Sequence, residues 1–191
     1  MGLGSWVLGL GSWVSCGTRR SFSLIICWLL APSHIRIAEP ADAAAIARLV
    51  NDAFRSERFF IDADRTDPEK VAALLQKGKF LLLFEREGAA EVGVLTGCVY
   101  VEVRGERGYF GLLAVHLRRQ RAGIGARLIE AAEQHCRAAG CHFMDLTIVN
   151  VRQELPGYYR RFGYVENGTL PFPDDQVAKI PVHLVRMSKK L

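Results

Sequence analysis

The sequence predicts a mixed α/β domain with a central sheet of about seven strands and about four helices. Two observations predict it. Three strand-like stretches follow one another over residues 79–117 with glycine-containing turns between them, which is typical of an antiparallel meander. A strand, a helix and another strand then follow over residues 108–150, which is the order of a parallel crossover unit. The pattern therefore favours one domain over residues 34–191.

The domain opens with a strand and then a helix. His34–Ala38 alternates polar and apolar residues and predicts a short strand. Pro40 suits the first turn of a helix over residues 41–54, because that turn has no use for the amide hydrogen that proline lacks. The apolar residues of this helix recur at spacings of three and four and predict one buried face. They are Ala44, Ile46, Leu49, Val50 and Phe54.

A second helix is marked at both of its ends. Asp67 precedes Pro68 and predicts an N-cap, and Gly78 closes the helix. Between the two helices, residues 55–66 form a loop with exposed aromatic side chains. Beyond Gly78 the meander has three predicted strands, at residues 79–86, 91–104 and 108–117.

The crossover helix follows a glycine-containing stretch and ends at Ala139, with Gly140 in the C′ position. Its predicted buried side comprises Ile124, Leu128, Ala131, Ala132, Cys136 and Ala139. Because strand, helix and strand form one crossover unit, we expect Leu112–His116 and Phe143–Val149 to be parallel in a common sheet. A short helix at Leu155–Phe162 and two strands at residues 164–170 and 182–187 complete the predicted order.

Composition excludes several classes of protein. The net charge of +5, from 25 Lys and Arg against 20 Asp and Glu, is modest and is not gathered in long basic blocks, so we expect no nucleic-acid partner. Five irregularly spaced cysteines argue against a disulfide framework and favour a reducing, cytoplasmic compartment. His135, Cys136, Cys141 and His142 match no common zinc spacing, so we expect no metal.

Residues 1–33 are predicted to be an extension outside the domain. The sequence GLGSWV occurs twice, and TRRSFSLIICWLLAP follows with two arginines ahead of a mostly apolar run. This resembles a twin-arginine export signal, but no small-x-small cleavage site follows Leu30. The apolar run is also too short to span a bilayer, so we expect no membrane partner. An upstream start-site artefact or a dispensable extension is the favoured interpretation.

The stretch RRQRAGIGARL, residues 118–128, carries four arginines around two glycines and no acidic residue. The free amides at a helix N-terminus hold an anion, and a glycine lets that anion approach closely. No lysine followed by Ser or Thr completes a Walker loop. The dinucleotide fingerprint also fails, because Leu128 occupies the third glycine position and Asp145 lies within a strand.

Two segments resemble the GCN5-related N-acetyltransferase (GNAT) family. Gln120–Gly125 matches the family's acyl-CoA pattern Q/R-x-x-G-x-G/A, after a strand that contains Leu-Ala-Val. Thr147–Gly168 is similar to the family's next strand and helix, with Asn150 after the strand and a Tyr-x-x-x-Gly-Tyr ending. The resemblance extends over residues 35–191, and it implies an N-acetyltransferase of that fold that takes acetyl-CoA as co-substrate.

The resemblance also implies where the coenzyme binds. Amides of residues 121–126 would surround the diphosphate, Gln120 and Arg121 would add donors, and Arg118 and Arg119 would meet the ribose phosphate. Residues 113–115 would pair with the pantetheine arm, and an amide near Val115 would polarise the thioester carbonyl. The cofactor-binding residues so implied are Leu113, Ala114, Val115, Arg118, Gln120, Arg121, Ala122, Gly123, Ile124, Gly125, Ala126, Asn150 and Tyr159.

Acetyl transfer to an amine needs one acid and one base. The family's proton donor lies four residues before the glycine of the ending, which corresponds to Tyr159 here. The base is less specified. Glu102 is the candidate, with Tyr109 on the next strand as an alternative, and an exposed strand carboxylate is the competing interpretation of Glu102.

The acceptor is expected to be a primary amine of a small molecule or peptide, held by residues 55–66 and 171–181. The acidic residues there suit an amine and the basic ones suit a carboxylate: Asp62, Asp64, Asp174 and Asp175, against Arg55 and Arg58. Two other functions stay open: an acyl-CoA-binding sensor or interaction module without transfer, and a nucleic-acid-binding domain. Monomer and homodimer are both compatible with the sequence.

Overall fold

The computed structural model describes residues 33–86, 93–173 and 177–191. The predicted extension lies outside these ranges except for Ser33, which begins the first strand. The strands are β1 (Ser33–Ile37), β2 (Lys79–Glu85), β3 (Val94–Arg104), β4 (Arg107–Val115), β5 (Phe143–Val149), β6 (Val165–Pro171) and β7 (His183–Lys190). The helices are α1 (Ala43–Ala53), α2 (Pro68–Lys77), α3 (Ile124–Ala138) and α4 (Glu154–Arg160), with 3-10 turns at Pro40–Asp42, Phe54–Glu57 and Leu117–Arg119. The predicted mixed α/β class is confirmed.

All seven described strands form one sheet in the order β1-β2-β3-β4-β5-β7-β6. Neighbouring strands are antiparallel except β4 and β5, which run parallel on either side of the α3 crossover. Successive residues of β2 face opposite sides of the sheet, as the pleat requires. Leu81 and Leu83 pack under α3, whereas Phe80 and Leu82 pack under α1 and α2. The sheet is therefore covered by helices on both faces.

Helix α1 is shorter than the predicted 41–54, because a 3-10 turn flanks it at each end. Ile46 and Val50 are fully buried as predicted. Ala44 is exposed, and Ala43 and Ala47 are buried in its place, so the prediction for Ala44 was wrong by one position.

Helix α2 begins as predicted and ends for a different reason. The carboxylate of Asp67 accepts a hydrogen bond from the Lys70 amide at 2.7 Å, which confirms the N-cap. Gly78 follows the helix with a φ of −150°, which is extended and not left-handed. A Cβ there would lie 2.4 Å from the carbonyl oxygen of Val101, so close approach to β3 requires this glycine.

Helix α3 carries the long apolar face that the sequence predicts, with Leu128, Ala132 and Cys136 fully buried. Gly140 has a φ of 85° in the predicted C′ position. Ala139, predicted to be buried, is exposed because it lies beyond the last helical turn at the C-cap.

Strands β4 and β5 are parallel in one sheet, as predicted, and they are paired over only part of their length. Arg107–Tyr109 pairs with Phe143–Asp145, whereas Leu112–His116 makes no ladder with β5. The reason is a β-bulge in β4, where the register with β3 shifts and Leu112 takes a left-handed φ of 47°. The bulge turns the second half of β4 away from β5, and the two strands separate.

Candidate active site

The separation of β4 and β5 opens a cleft of about 1200 Å³. Its walls include Gly111–Leu113 from β4 and Leu146–Val149 from β5. Each strand is hydrogen-bonded on its outer side, β4 to β3 and β5 to β7. The inner edges are not paired with each other, so their backbone groups face the cleft. An extended molecule would find unpaired main-chain donors and acceptors there.

The end of the pair where the strands stay together is fixed by an ion pair. The Arg107 guanidinium donates to the Asp145 carboxylate at 2.6 and 2.5 Å, and Ser188 on β7 also donates to that carboxylate. Burial acts to raise the pKa of Asp145, but these hydrogen bonds outweigh it and hold the pKa below its usual value. Three adjacent strands are thus tied together at the closed end.

The segment from Gln120 to Gly123 leads into the start of α3 at one end of the cleft. Arg121 and Gly123 both have positive φ values, 65° and 79°. Gly123 is the N-cap, and among the described residues no side chain caps the helix. The first-turn amides of α3 are therefore left without a side-chain partner, which is the arrangement that binds anions.

A Cβ on Gly123 would meet nothing within 4 Å, so this glycine faces open space in front of the helix. A Cβ on Gly125 would lie 2.8 Å from the Tyr158 hydroxyl, so the two residues are in close contact. The space in front of α3 is therefore kept clear on one side by a glycine and bounded on the other by a tyrosine.

Most of the predicted cofactor-binding residues line the cleft. They are Leu113, Val115, Gln120, Arg121, Gly123, Ile124, Gly125, Ala126 and Tyr159. The side-chain amide of Gln120 donates to the Val115 carbonyl at 3.4 Å, which joins the loop to the end of β4. Arg119 also lines the cleft, and it pairs with Glu85 at 2.8 Å.

Four predicted cofactor-binding residues lie outside the lining of the cleft: Ala114, Arg118, Ala122 and Asn150. Ala114 is fully buried on the α1 side of the sheet. Asn150 accepts the His183 amide at 2.9 Å through its side-chain oxygen, which ties the end of β5 to the start of β7. Their roles at the coenzyme stay predictions.

Tyr159 lies on the floor of the cleft. Its side chain is 8% exposed and packs against the rings of Phe110, Tyr158 and Tyr164. Burial raises the pKa of its phenol. The group therefore keeps its proton at neutral pH, which a proton donor requires.

Glu102 also borders the cleft, but its carboxylate is fully engaged. Arg104 donates to both oxygens at 2.9 and 2.8 Å, and the Tyr100 hydroxyl donates at 3.1 Å. The Arg104 hydrogen bonds hold the pKa of Glu102 below its usual value. Tyr109, the alternative, shares a hydrogen bond of 3.2 Å with Thr147 and lies under the Arg104 guanidinium. This geometry favours a structural role for Glu102, and its role as base stays a prediction.

The two predicted acceptor segments meet each other and reach the cleft. Ile61 forms a β-bridge with Ala178, and Phe172 and Pro173 line the cleft. Of the charged residues singled out in the sequence, those that the structure describes do not line it. Arg55 pairs with Asp52, Arg58 pairs with Asp64, and Lys179 pairs with Asp62. Asp174 and Asp175 lie outside the described residues.

The charged residues that do line this end of the cleft were not singled out from the sequence. They are Glu57, Arg65, Lys77, Arg152 and Glu154. Glu57 is 5% exposed, and Arg152 donates to it at 3.1 Å and to Glu154 at 2.6 Å. The sequence carried no signal for Glu57, because residues 55–66 were predicted to be a loop and its partner Arg152 lies 95 positions away.

Comparison with known proteins decides the family. The sequence model of the acetyltransferase (GNAT) domain matches residues 46–190. The chain belongs to the GNAT family. It is an acetyl-CoA-dependent N-acetyltransferase.

Curated relatives of this GNAT protein include two from rice, Oryza sativa subsp. japonica. Glucosamine 6-phosphate N-acetyltransferase 1 is 29% identical over 136 residues, which cover 66% of this chain and 79% of the relative. Probable glucosamine 6-phosphate N-acetyltransferase 2 is 29% identical over 102 residues, which cover 50% and 60%. The second match therefore spans less than two thirds of that relative.

Solved structures similar to this GNAT protein confirm the fold. Ard1 from Thermoplasma volcanium matches with a TM-score of 0.67 at 19% identity, over 84% of this chain and 99% of that one. The yncA protein of Salmonella typhimurium, solved with its cofactor acetyl-CoA, matches with a TM-score of 0.63 at 20% identity, over 84% and 95%. Within the described ranges, none of the GNAT protein's helices has the length and apolar character needed to cross a membrane.

Proposed function

We propose that this protein holds acetyl-CoA along the gap between β4 and β5 and transfers the acetyl group to a primary amine of a small molecule or peptide. The observation that carries the proposal is the separation of two parallel strands directly beside an uncapped helix N-terminus. An acyl-CoA needs both features, because it has a long polar arm at one end and a diphosphate at the other. The residues that line the cleft suit both of these parts of an acyl-CoA.

Residues 120–126 would hold the diphosphate. The amides at the start of α3 point at an anion, and the helix dipole adds about half a positive charge. Arg121 and Gln120 supply charge and donors on the same wall. Arg119 lies nearer the cleft than Arg118 and is the better candidate for a second phosphate contact.

The inner edge of β4 would hold the arm that carries the acetyl group. The segment Gly111–Val115 is hydrogen-bonded to β3 on one side only. The left-handed φ of Leu112 is strained for a leucine, and such strain persists where the surrounding structure enforces it. When bound, acetyl-CoA would supply an activated acyl group in this cleft, which Leu112 and Tyr159 both line.

Tyr159 would return a proton to the sulfur that leaves. In water a phenol, with a pKa of about 10, is a weaker acid than a thiol, with a pKa of about 8.5. Burial raises the pKa of the Tyr159 phenol as well, so this proton transfer depends on how closely the phenol is held to the sulfur.

The acceptor would enter between the turn that carries Glu57 and the segment that carries Phe172. The two rice relatives are named for glucosamine 6-phosphate, a primary amine, and we include it among the acceptors to test. The experiment measures thiol release from acetyl-CoA with glucosamine 6-phosphate, glucosamine, spermidine, L-methionine and an alanyl peptide. Acetylation of at least one amine supports the proposal, and binding of acetyl-CoA without any turnover would favour a sensor.

A further inference from the structure

Glu57 is a buried carboxylate at the acceptor end of the cleft. It lies in the 3-10 turn Phe54–Glu57 that continues α1, and only 5% of it is exposed. It belongs to the lining of the cleft, as do its neighbours Arg65 and Arg152. A glutamate is rarely buried to this degree unless it is paired.

The two oxygens of Glu57 differ. Oε1 accepts a hydrogen bond from Arg152 at 3.1 Å. Oε2 is buried and has no hydrogen-bond partner among the described residues. An unpaired buried carboxylate oxygen is costly and requires an explanation. A donor that arrives with the acceptor would remove that cost.

We infer that Glu57 receives the acceptor's ammonium group at Oε2 and takes a proton from it. The inference rests on the proposed function and names its base. Ammonium groups offer three hydrogen-bond donors and a full positive charge, which is the chemistry that an unpaired carboxylate oxygen binds best. The acceptor class is therefore a primary amine that arrives as its cation.

The charges around Glu57 suit this role. Arg65 and Arg152 face it and favour its ionised form, whereas Glu154 opposes that form. Burial outweighs the two arginines, acts in the same direction as Glu154, and raises the pKa of Glu57 above its usual value. A carboxylate with a raised pKa is a better base near neutral pH than an ordinary one.

Glu57 and Tyr159 lie in the wall of the same cleft. Burial is the main cause of the raised pKa of Tyr159; the charge of Glu57 adds a smaller effect in the same direction, and Arg152 acts in the opposite direction. Both groups line the cleft. The base and the acid thus lie near enough to sense one another, whereas Glu102 already accepts hydrogen bonds on both of its oxygens.

The protons balance as follows. Glu57 takes one proton from the ammonium nitrogen, which frees its lone pair. That nitrogen forms the N–C bond to the acetyl carbon as the C–S bond breaks, and the sulfur receives the proton of Tyr159. The nitrogen of the new amide loses its second proton, which restores the phenol. Glu57 then releases its proton to solvent, so one amine cation and one thioester give one amide, one thiol and one free proton.

The experiment compares wild type with Glu57→Gln, which keeps the shape and an acceptor for Arg152 while removing the base. We expect kcat/KM for the best amine of the panel above to fall by about 100-fold. Acetyl-CoA affinity should stay within about twofold, since Glu57 lies at the acceptor end. The melting temperature should change little, because burial raises the pKa of Glu57 and the folded protein therefore disfavours its charged form, which the variant removes. Glu106→Gln is the matched control, since Glu106 is exposed in the turn between β3 and β4, and it should keep wild-type activity.

The pH profile separates a base from a structural residue. Wild-type kcat/KM should fall on the acid side with an apparent pKa above the ordinary glutamate value of about 4.3. The apparent pKa of this acidic limb should be the same for two amines of different pKa. The pH profile of Glu57→Gln should lack the limb. If Glu57→Gln does not fold, the acidic limb of the wild-type pH profile, compared between the two amines, tests the inference alone.

Activity of Glu57→Gln within about threefold of wild type, with an unchanged acid limb, would overturn the inference and leave the proposed function intact. A lowered melting temperature with a proportionate loss of active protein would assign Glu57 a structural role instead. Failure of wild type to acetylate any amine of the panel would overturn the proposed function, and the inference with it.

Discussion

The two halves of the β4–β5 pair differ in whether the main chains of the two strands are hydrogen-bonded to each other. In the closed half, Arg107–Tyr109 and Phe143–Asp145 pair directly, and the Arg107–Asp145 ion pair holds them together. In the open half, the main chains of Leu112–Val115 and Leu146–Val149 form ladders only with their outer neighbours. The bulge at Leu112 is the boundary between them.

This difference shows how one strand pair supplies both stability and a binding site. The closed half satisfies its backbone groups within the protein and contributes to folding. The open half leaves groups unpaired and needs the closed half to hold the strands in position. Substitutions in the closed half should therefore change stability, and those in the open half should change binding or turnover.

The largest expected effect lies in the open half. Tyr159→Phe removes one hydroxyl from the floor of the cleft and keeps the ring that packs on Phe110. We expect kcat to fall by about 100-fold or more, because the sulfur loses its proton donor. Steady-state thiol release measures it. Acetyl-CoA binding and the melting temperature should change little, and wild-type turnover in this variant would contradict the role.

The next effect belongs to the closed half. A Cβ on Gly108 would lie 2.5 Å from the Cys136 sulfur and 2.7 Å from the Met144 sulfur. Gly108→Ala should lower the free energy of unfolding by about 1–3 kcal/mol through overpacking. Gly157→Ala is the matched control, since a Cβ there meets nothing within 4 Å. Denaturant unfolding compares the two, and equal stabilities would show that the closed half tolerates expansion.

A substitution at the loop tests the open half without touching the core. Gly123→Val places a branched side chain in the open space before α3 and at a φ of 79°. Affinity for acetyl-CoA should fall by at least about tenfold, which corresponds to about 1.4 kcal/mol. The strained φ should also cost about 1–2 kcal/mol of stability. Calorimetry and unfolding separate the two losses, and unchanged affinity would remove the loop from the site.

The smallest effect concerns the ion pair of the closed half. The pKa of Asp145 is lowered in the folded protein, so the folded state favours the charged carboxylate. Asp145→Asn should therefore cost about 1 kcal/mol at pH 7. This difference from wild type should shrink as the pH falls below about 4 and disappear once Asp145 is protonated.

Asp64→Asn is the comparison for this prediction, because the Asp64–Arg58 pair is 62% exposed on both sides. Its effect on the free energy of unfolding should be close to zero at either pH. Equal losses of unfolding free energy in the two variants would show that the ion pair of the closed half contributes no more to stability than one on the surface.

The sequence predicted the features that local chemistry determines. The Asp67 N-cap and the Gly140 C′ position depend on residues within one helical turn, and both were predicted correctly. The loop at residues 120–126 was found by its own spacing, and most of it lines the cleft. Such features need no information from distant parts of the chain.

The missed features depend on distant partners. The bulge at Leu112 arises from the register of β4 on β3, and leucine carries no local preference for a positive φ. Glu57 is buried beside Arg152, which lies 95 positions away. Residues 55–58 contain three charged residues in four positions, which is typical of a solvated loop. Glu102 was chosen from strand alternation, which gives a face of the sheet but not the hydrogen bonds from Arg104.

Calorimetric titration of acetyl-CoA tests the central claim most directly, namely that the open half of β4–β5 and the loop before α3 hold the coenzyme. Wild type should bind one acetyl-CoA per chain with saturable heat, Gly108→Ala should bind with the same affinity, and Gly123→Val should bind at least about tenfold more weakly. No heat with wild type, or equal affinity in Gly123→Val, would contradict the account.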